Sequence, residues 1–125
     1  RLNGLSGLSG IEVCRMLDTS VSLTEVDLSS NDLGDDFGRA FASVLRTNET
    51  LWKVNLSRNP LTEVTGHALL DVLQCRNDTV VCIGDLGADL LGLGLKNRML
   101  IDGCLNENRK GVRLSERCAD HTHFG

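Results

Sequence analysis

Leu23-Thr-Glu-Val-Asp-Leu-Ser-Ser-Asn31-Asp-Leu33 returns as Leu51-Trp-Lys-Val-Asn-Leu-Ser-Arg-Asn59-Pro-Leu61, 28 residues further along the chain. Every leucine, valine and asparagine landmark of the first copy has its counterpart in the second. Self-similarity at a fixed spacing of this size is the mark of one supersecondary unit used more than once. Within the first copy, Leu23, Val26 and Leu28 fall on the side of a short strand that faces a core, and Glu25 and Asp27 on the other. Asn31 and Asn59 follow where the strand must end. Their amides can satisfy backbone groups that would cost about 1–3 kcal/mol if buried unmet.

The recurrence extends outward from these two stretches. Phe37, Ala40, Phe41, Val44 and Leu45 map by the same shift onto Thr65, Ala68, Leu69, Val72 and Leu73, and that spacing makes an amphipathic helix. Gly34 with Asp35, and Thr62 with Glu63, stand at the expected helix starts, where small or polar caps and acidic residues are favoured. Backwards, Asn3, Leu5, Val13, Met16 and Leu17 fill the same register, so an upstream unit has lost its strand. Forwards, after one extra residue, Val80 and Ile83 take the first two strand positions, and the pattern then decays at Asp85 and Ala88. Leu95 to Arg109 reads as a last helix and the rest as a polar tail.

The pattern LxxLxLxxNxL, with a 28- or 29-residue period and a long helix in each unit, resembles the ribonuclease-inhibitor-like leucine-rich-repeat family. The resemblance is specific over residues 23–79, weaker over 3–22 and 80–109, and absent beyond. It implies an α/β leucine-rich-repeat solenoid: a right-handed superhelix forming a horseshoe segment, with a parallel sheet on its inner wall and helices outside. Helices wider than the strand spacing would bend such a stack that way. The expected domain covers residues 1–109, with a partial repeat at 1–22, repeats at 23–50 and 51–79, and a degenerate capping repeat at 80–109. Residues 110–125 form the tail. Because Arg1 opens the chain in mid-pattern, further upstream repeats are expected in the parent protein.

Composition narrows the function classes. The chain has 125 residues, 41% of them hydrophobic, and a formal net charge of -4, which argues for one domain and against a nucleic-acid partner, since phosphate binding draws on clustered Lys and Arg. Apolar runs are too short for a membrane span. Five cysteines without a CxxC pair suggest neither a disulfide framework nor a zinc knuckle, and reduced thiols fit a cytoplasmic location. Asn48, Asn55 and Asn77 match the glycosylation motif but fall on repeat landmarks. Asp35 and Asp36 read as helix-start charges, and His67 as a residue of the outer helix surface. Cys118, His121 and His123 lack a fourth ligand. No catalytic residue set, metal or cofactor is expected.

Members of the resembled family, among them GTPase activators of nuclear transport, the actin-capping tropomodulins, innate immune receptors and many scaffolds, act by holding a protein surface. The expected function is therefore a non-enzymatic protein–protein interaction module. The alternatives are a regulator of a GTPase or of actin filaments, or the sensor of an innate immune receptor. The expected binding face consists of Glu25, Asp27, Lys53 and Asn55 on the strands and Arg58 on the loop edge, with Trp52 beside it as an aromatic anchor. Cys82 and Gly84 continue that wall, and Ser29, Ser30 and Ser57 its edge.

Overall fold

A computed structural model describes residues 10–19 and 22–112. Helix α1 (Gly10–Thr19) is followed by strand β1 (Glu25–Asp27), helix α2 (Asp35–Leu45), strand β2 (Lys53–Asn55), helix α3 (Glu63–Cys75), a short 3-10 turn (Leu91–Leu93) and helix α4 (Leu95–Arg109). Helices α2 and α3 form where small and apolar residues recur at helical spacing, whereas the buried face of α4 is Asn97, Ile101, Leu105 and Asn108. In α2 the buried face is Phe37, Gly38, Phe41, Ala42, Val44 and Leu45. In α3 it is Thr65, Gly66, Leu69, Val72 and Leu73, and the Thr62 hydroxyl caps that helix by accepting from the Val64 N–H. In α1, Val13 and Leu17 are buried as their counterparts in α2 are, but Met16 is 38% exposed where Val44 is covered. Among the described elements α1 packs on α2 alone, which leaves that flank open.

Helices α1 to α4 lie side by side in chain order, each against the next. The closest approach joins α2 to α3 at Gly38, where an added Cβ would run into the Thr65 side chain. Behind the helices, β1 and β2 pair in parallel with Glu25 beside Lys53, Val26 beside Val54 and Asp27 beside Asn55. Val26, Leu28, Val54 and Leu56 point from the strands into one hydrophobic cluster that runs from Val13 to Leu105. Asn59 ties the two turns together. Its Oδ1 accepts from the N–H groups of Asn31 and Leu33, and its Nδ2 donates to the Leu28 carbonyl. Asn77 does comparable work at the far end of the strands, donating to the Leu45 and Asn48 carbonyls and accepting from the Thr79 and Val80 N–H groups. Only 2% exposed, Asn77 is a structural residue and not a glycan acceptor in the folded chain.

The expected solenoid is not what forms, and the leucine-rich-repeat assignment is corrected accordingly. Four helices of 10, 11, 13 and 15 residues dominate a sheet of two strands with three residues each. The third unit adds one parallel bridge, Lys53 to Cys82, and no strand. The reason is local. After Ile83 the chain places Gly84 at φ +120 and Asp85 where a third apolar residue would have to enter the core, so regular pairing stops. A two-stranded sheet has no inner wall to line, and the 28-residue equivalence survives as a local pairing without generating a superhelix.

Candidate functional site

The strand register decides which polar side chains meet. Because residues alternate across a strand, Glu25 and Asp27 emerge on the face away from the helices, directly beside Lys53 and Asn55. These four residues, with Val26, line an open depression of about 270 Å³. A second depression of about 270 Å³ opens at the loop edge, lined by Ser29, Asn55, Ser57, Arg58, Gly84, Asp85 and Asp89. Asn55 borders both, so the two form one continuous polar face.

Several of these side chains are held by the turns that end the strands. The Asp27 Oδ1 accepts from the Ser29 N–H at 3.0 Å and from its hydroxyl at 2.6 Å. Asn55 repeats the arrangement one row along, its Oδ1 accepting from the Ser57 N–H at 3.0 Å. Such side-chain turns fix the carboxylate and the amide in place. Arg58 adopts the left-handed backbone region at φ 62, as Ser30 does at φ 58 in the preceding row, and this places Arg58 on the rim near Asp85 and Asp89. That conformation is unfavourable for a residue with a side chain by about 1–2 kcal/mol. It persists because the Ser30 N–H is bound to the Ser57 carbonyl and the Asn59 amide braces the turn.

Of the six residues expected to form the binding face, the structure brings five together in these depressions. The sixth, Trp52, is 44% exposed but lines neither. Its N–H donates to the Thr24 carbonyl and its carbonyl accepts from the Val81 N–H, which fixes the backbone while the ring meets solvent. Ser57 lies on the edge where the repeat pattern placed it, and Asp85 and Asp89 join the face although that pattern did not assign them to it. The signal for Asp85 was present as a departure: a carboxylate where the pattern requires an apolar side chain.

Asp35 has a larger role than a helix-start charge. Its carboxylate accepts from the Thr62 N–H at 3.0 Å, the Thr62 hydroxyl at 2.6 Å and the Thr65 hydroxyl at 2.6 Å, joining the starts of α2 and α3. Those hydroxyls, Thr62 first and Thr65 second, hold its carboxyl down at about 2. Asp36 pairs with Arg39 on the helix surface. His67 is exposed on α3, and Cys14, buried in α1, has its thiol pushed up to about 11, first by burial and then by Asp18. Cys118, His121 and His123 lie outside the described residues. Among the described residues, no group of three or more His, Cys, Asp or Glu side chains is placed to hold a metal ion, and no helix is long and apolar enough to cross a membrane.

Fold and face together define a small helix-rich domain that presents a rigid, mixed-charge surface from a minimal parallel sheet. Among solved structures, the chain is similar to the leiomodin-1 actin-binding site 2, with a TM-score of 0.62 and 18% sequence identity over 93% of this chain and 80% of that one. That likeness establishes the shared fold and replaces the solenoid expectation. No family model matches the chain, and no curated protein matches its sequence.

Proposed function

We propose that the chain is a non-enzymatic protein-binding module that acts on actin filaments through the polar face of β1, β2 and the loops that follow them. The observation that carries this reading is the likeness, over 93% of the chain, to a structure named for its binding to actin. The face supports it in physical terms. Rigid strand and turn residues present charged side chains without an ordering cost at the moment of binding, and Lys53 and Arg58 offer cations within an otherwise acidic surface. Trp52 stands beside the face as an aromatic contact of the kind that dominates interfaces when covered. The setting this implies is the cytoplasm, with a protein partner and neither nucleic acid nor membrane.

Co-sedimentation of the whole chain with filamentous actin, alongside a pyrene-actin polymerisation assay, tests the proposal. Pelleting with actin is expected, and the double substitution Lys53→Glu with Arg58→Glu should weaken it roughly fivefold, the scale set by losing two partly exposed ion pairs. A chain that stays in the supernatant at every actin concentration and leaves polymerisation unchanged would overturn the reading.

A further inference from the structure

Half of the large hydrophobic side chains exposed among the described residues fall between Leu91 and Leu100, and on α4 itself Met99 is 67% and Leu100 42% exposed. Apolar groups gathered on a surface in this way mark a contact, since each gains by leaving water. Gly103 lies one turn beyond Met99. Glycine is a poor residue for a helix interior, and the glycines inside α2 and α3 have a reason in the fold. A Cβ at Gly38 would strike the Thr65 side chain, and one at Gly66 the Leu93 carbonyl and the Asn97 side chain. At Gly103 a Cβ would meet nothing within 4 Å, so no contact among the described residues requires the glycine that α4 carries there. At about 3.6 residues per turn, Lys96, Gly103 and Glu107 fall along nearly one line of α4, with Met99 and Leu100 on either side of it. Neither Lys96 nor Glu107 forms an ion pair among the described residues.

We infer that this face of α4 packs against the same face of a second copy of the chain, the two helices antiparallel about a two-fold axis passing between Ile101 and Asp102. A two-fold contact uses one patch twice, so the patch must complement itself. With the axis at that level, Lys96 comes opposite the partner's Glu107, and the symmetric pair repeats at the other end of the contact. Leu100, with Met99 beside it, comes over the bare backbone at the partner's Gly103. The missing Cβ lets the helices approach to the near end of the usual range of about 8–10 Å, and the apolar side chains fill the notch it leaves. A parallel pair would instead set Lys96 against the partner's Lys96 and Glu107 against the partner's Glu107. The charges thus select the antiparallel direction, and the glycine and its apolar neighbours supply the close contact. This inference is independent of the actin reading, since α4 takes no part in the polar face.

Sedimentation velocity of the whole chain over a concentration series tests the pairing, and a monomer–dimer equilibrium is expected. Lys96→Glu and Glu107→Lys should each weaken the dimer roughly tenfold, because each places like charges together at both ends of the contact. An equimolar mixture of these two variants should form a mixed dimer as tight as the parent's, both ion pairs being restored with their signs exchanged. Gly103→Ala should also weaken the dimer roughly tenfold. At a dilution where the chain is monomeric, the same change should raise the melting temperature by a few degrees, so the lost pairing is not a lost fold. A chain that is monomeric at every concentration overturns the inference and leaves the face to a different protein or to the chain's own terminus. A dimer indifferent to Gly103→Ala, or charge variants that do not recombine when mixed, overturns it as well. Dimers that do not pellet with actin overturn the actin reading and leave this inference standing; pelleting by a monomer does the reverse.

Discussion

Asp35 is the residue at which local chemistry and tertiary placement diverge most. Two carboxylates at the first turn of a helix are equivalent in sequence terms, since both suit the positive end of the helix dipole. In the folded chain only Asp35 meets the hydroxyls of Thr62 and Thr65, and its carboxyl is drawn from an ordinary value of 3.8 to about 2. A carboxyl whose folded value is depressed contributes stability that is fully present above its unfolded value and disappears as the pH falls through the folded one. Replacing Asp35 with Asn should therefore cost about 1 kcal/mol at neutral pH, a modest figure because the site is partly solvated. The same variant should lose less stability than the parent chain between pH 3.8 and pH 2. Urea denaturation at several pH values measures both effects, and parallel acid limbs in the two proteins would contradict this account.

At the scale of elements, packing between neighbouring helices carries the architecture, and the α2–α3 contact is its tightest point. Gly38 is a poor helix former, disfavoured by about 1 kcal/mol against alanine in a helix interior. It is kept because the Thr65 side chain occupies the space a Cβ would need. Gly38→Ala should thus destabilise the chain by about 1–3 kcal/mol despite its better intrinsic propensity, the range expected for overpacking. Thr65→Ala in the same background should recover part of the loss, although it also removes one hydrogen bond to Asp35. Thermal or urea melts of the two variants would decide the matter, and a stabilising Gly38→Ala would show that the helices can part at no cost.

Over the whole molecule, one hydrophobic cluster links α1 through α4 and both strands. Leu45 in α2 and Leu105 in α4 are buried in that same cluster, at 0% and 1% exposure. A shared core of this size favours one cooperative transition over independent melting of units. Leu45→Ala and Leu105→Ala should each cost about 2–5 kcal/mol. Each should lower the midpoint equally by far-UV circular dichroism and by Trp52 fluorescence. Probes that separate in the Leu105→Ala variant would mean that α4 unfolds by itself.

Much of this organisation is legible along the chain. The phrase shared by residues 23–33 and 51–61 marks both strands, their turns and their inward residues, because side-chain alternation and the demand for satisfied backbone groups act over a few neighbours. Helical spacing likewise marks α2, α3 and the bounds of α4. The polar face follows from the same alternation, which sets Glu25, Asp27, Lys53 and Asn55 on the side of the strands away from the core.

Only the tertiary structure decided how many such units pair and what they build. The third unit donates and accepts backbone hydrogen bonds along β2, between Val81 and Trp52, Val54 and Cys82, and Leu56 and Ile83, yet it extends no further because Asp85, exposed where the pattern needs an apolar side chain, turns the chain out of the row. The direction of the Trp52 ring, the latch between Asp35 and two threonines 27 and 30 residues away, and the inclusion of Asp85 and Asp89 in the face depend on distances between segments remote in the chain. Short-range periodicity carries no information about those distances, whereas close packing of four helices against two short strands determines all of them at once.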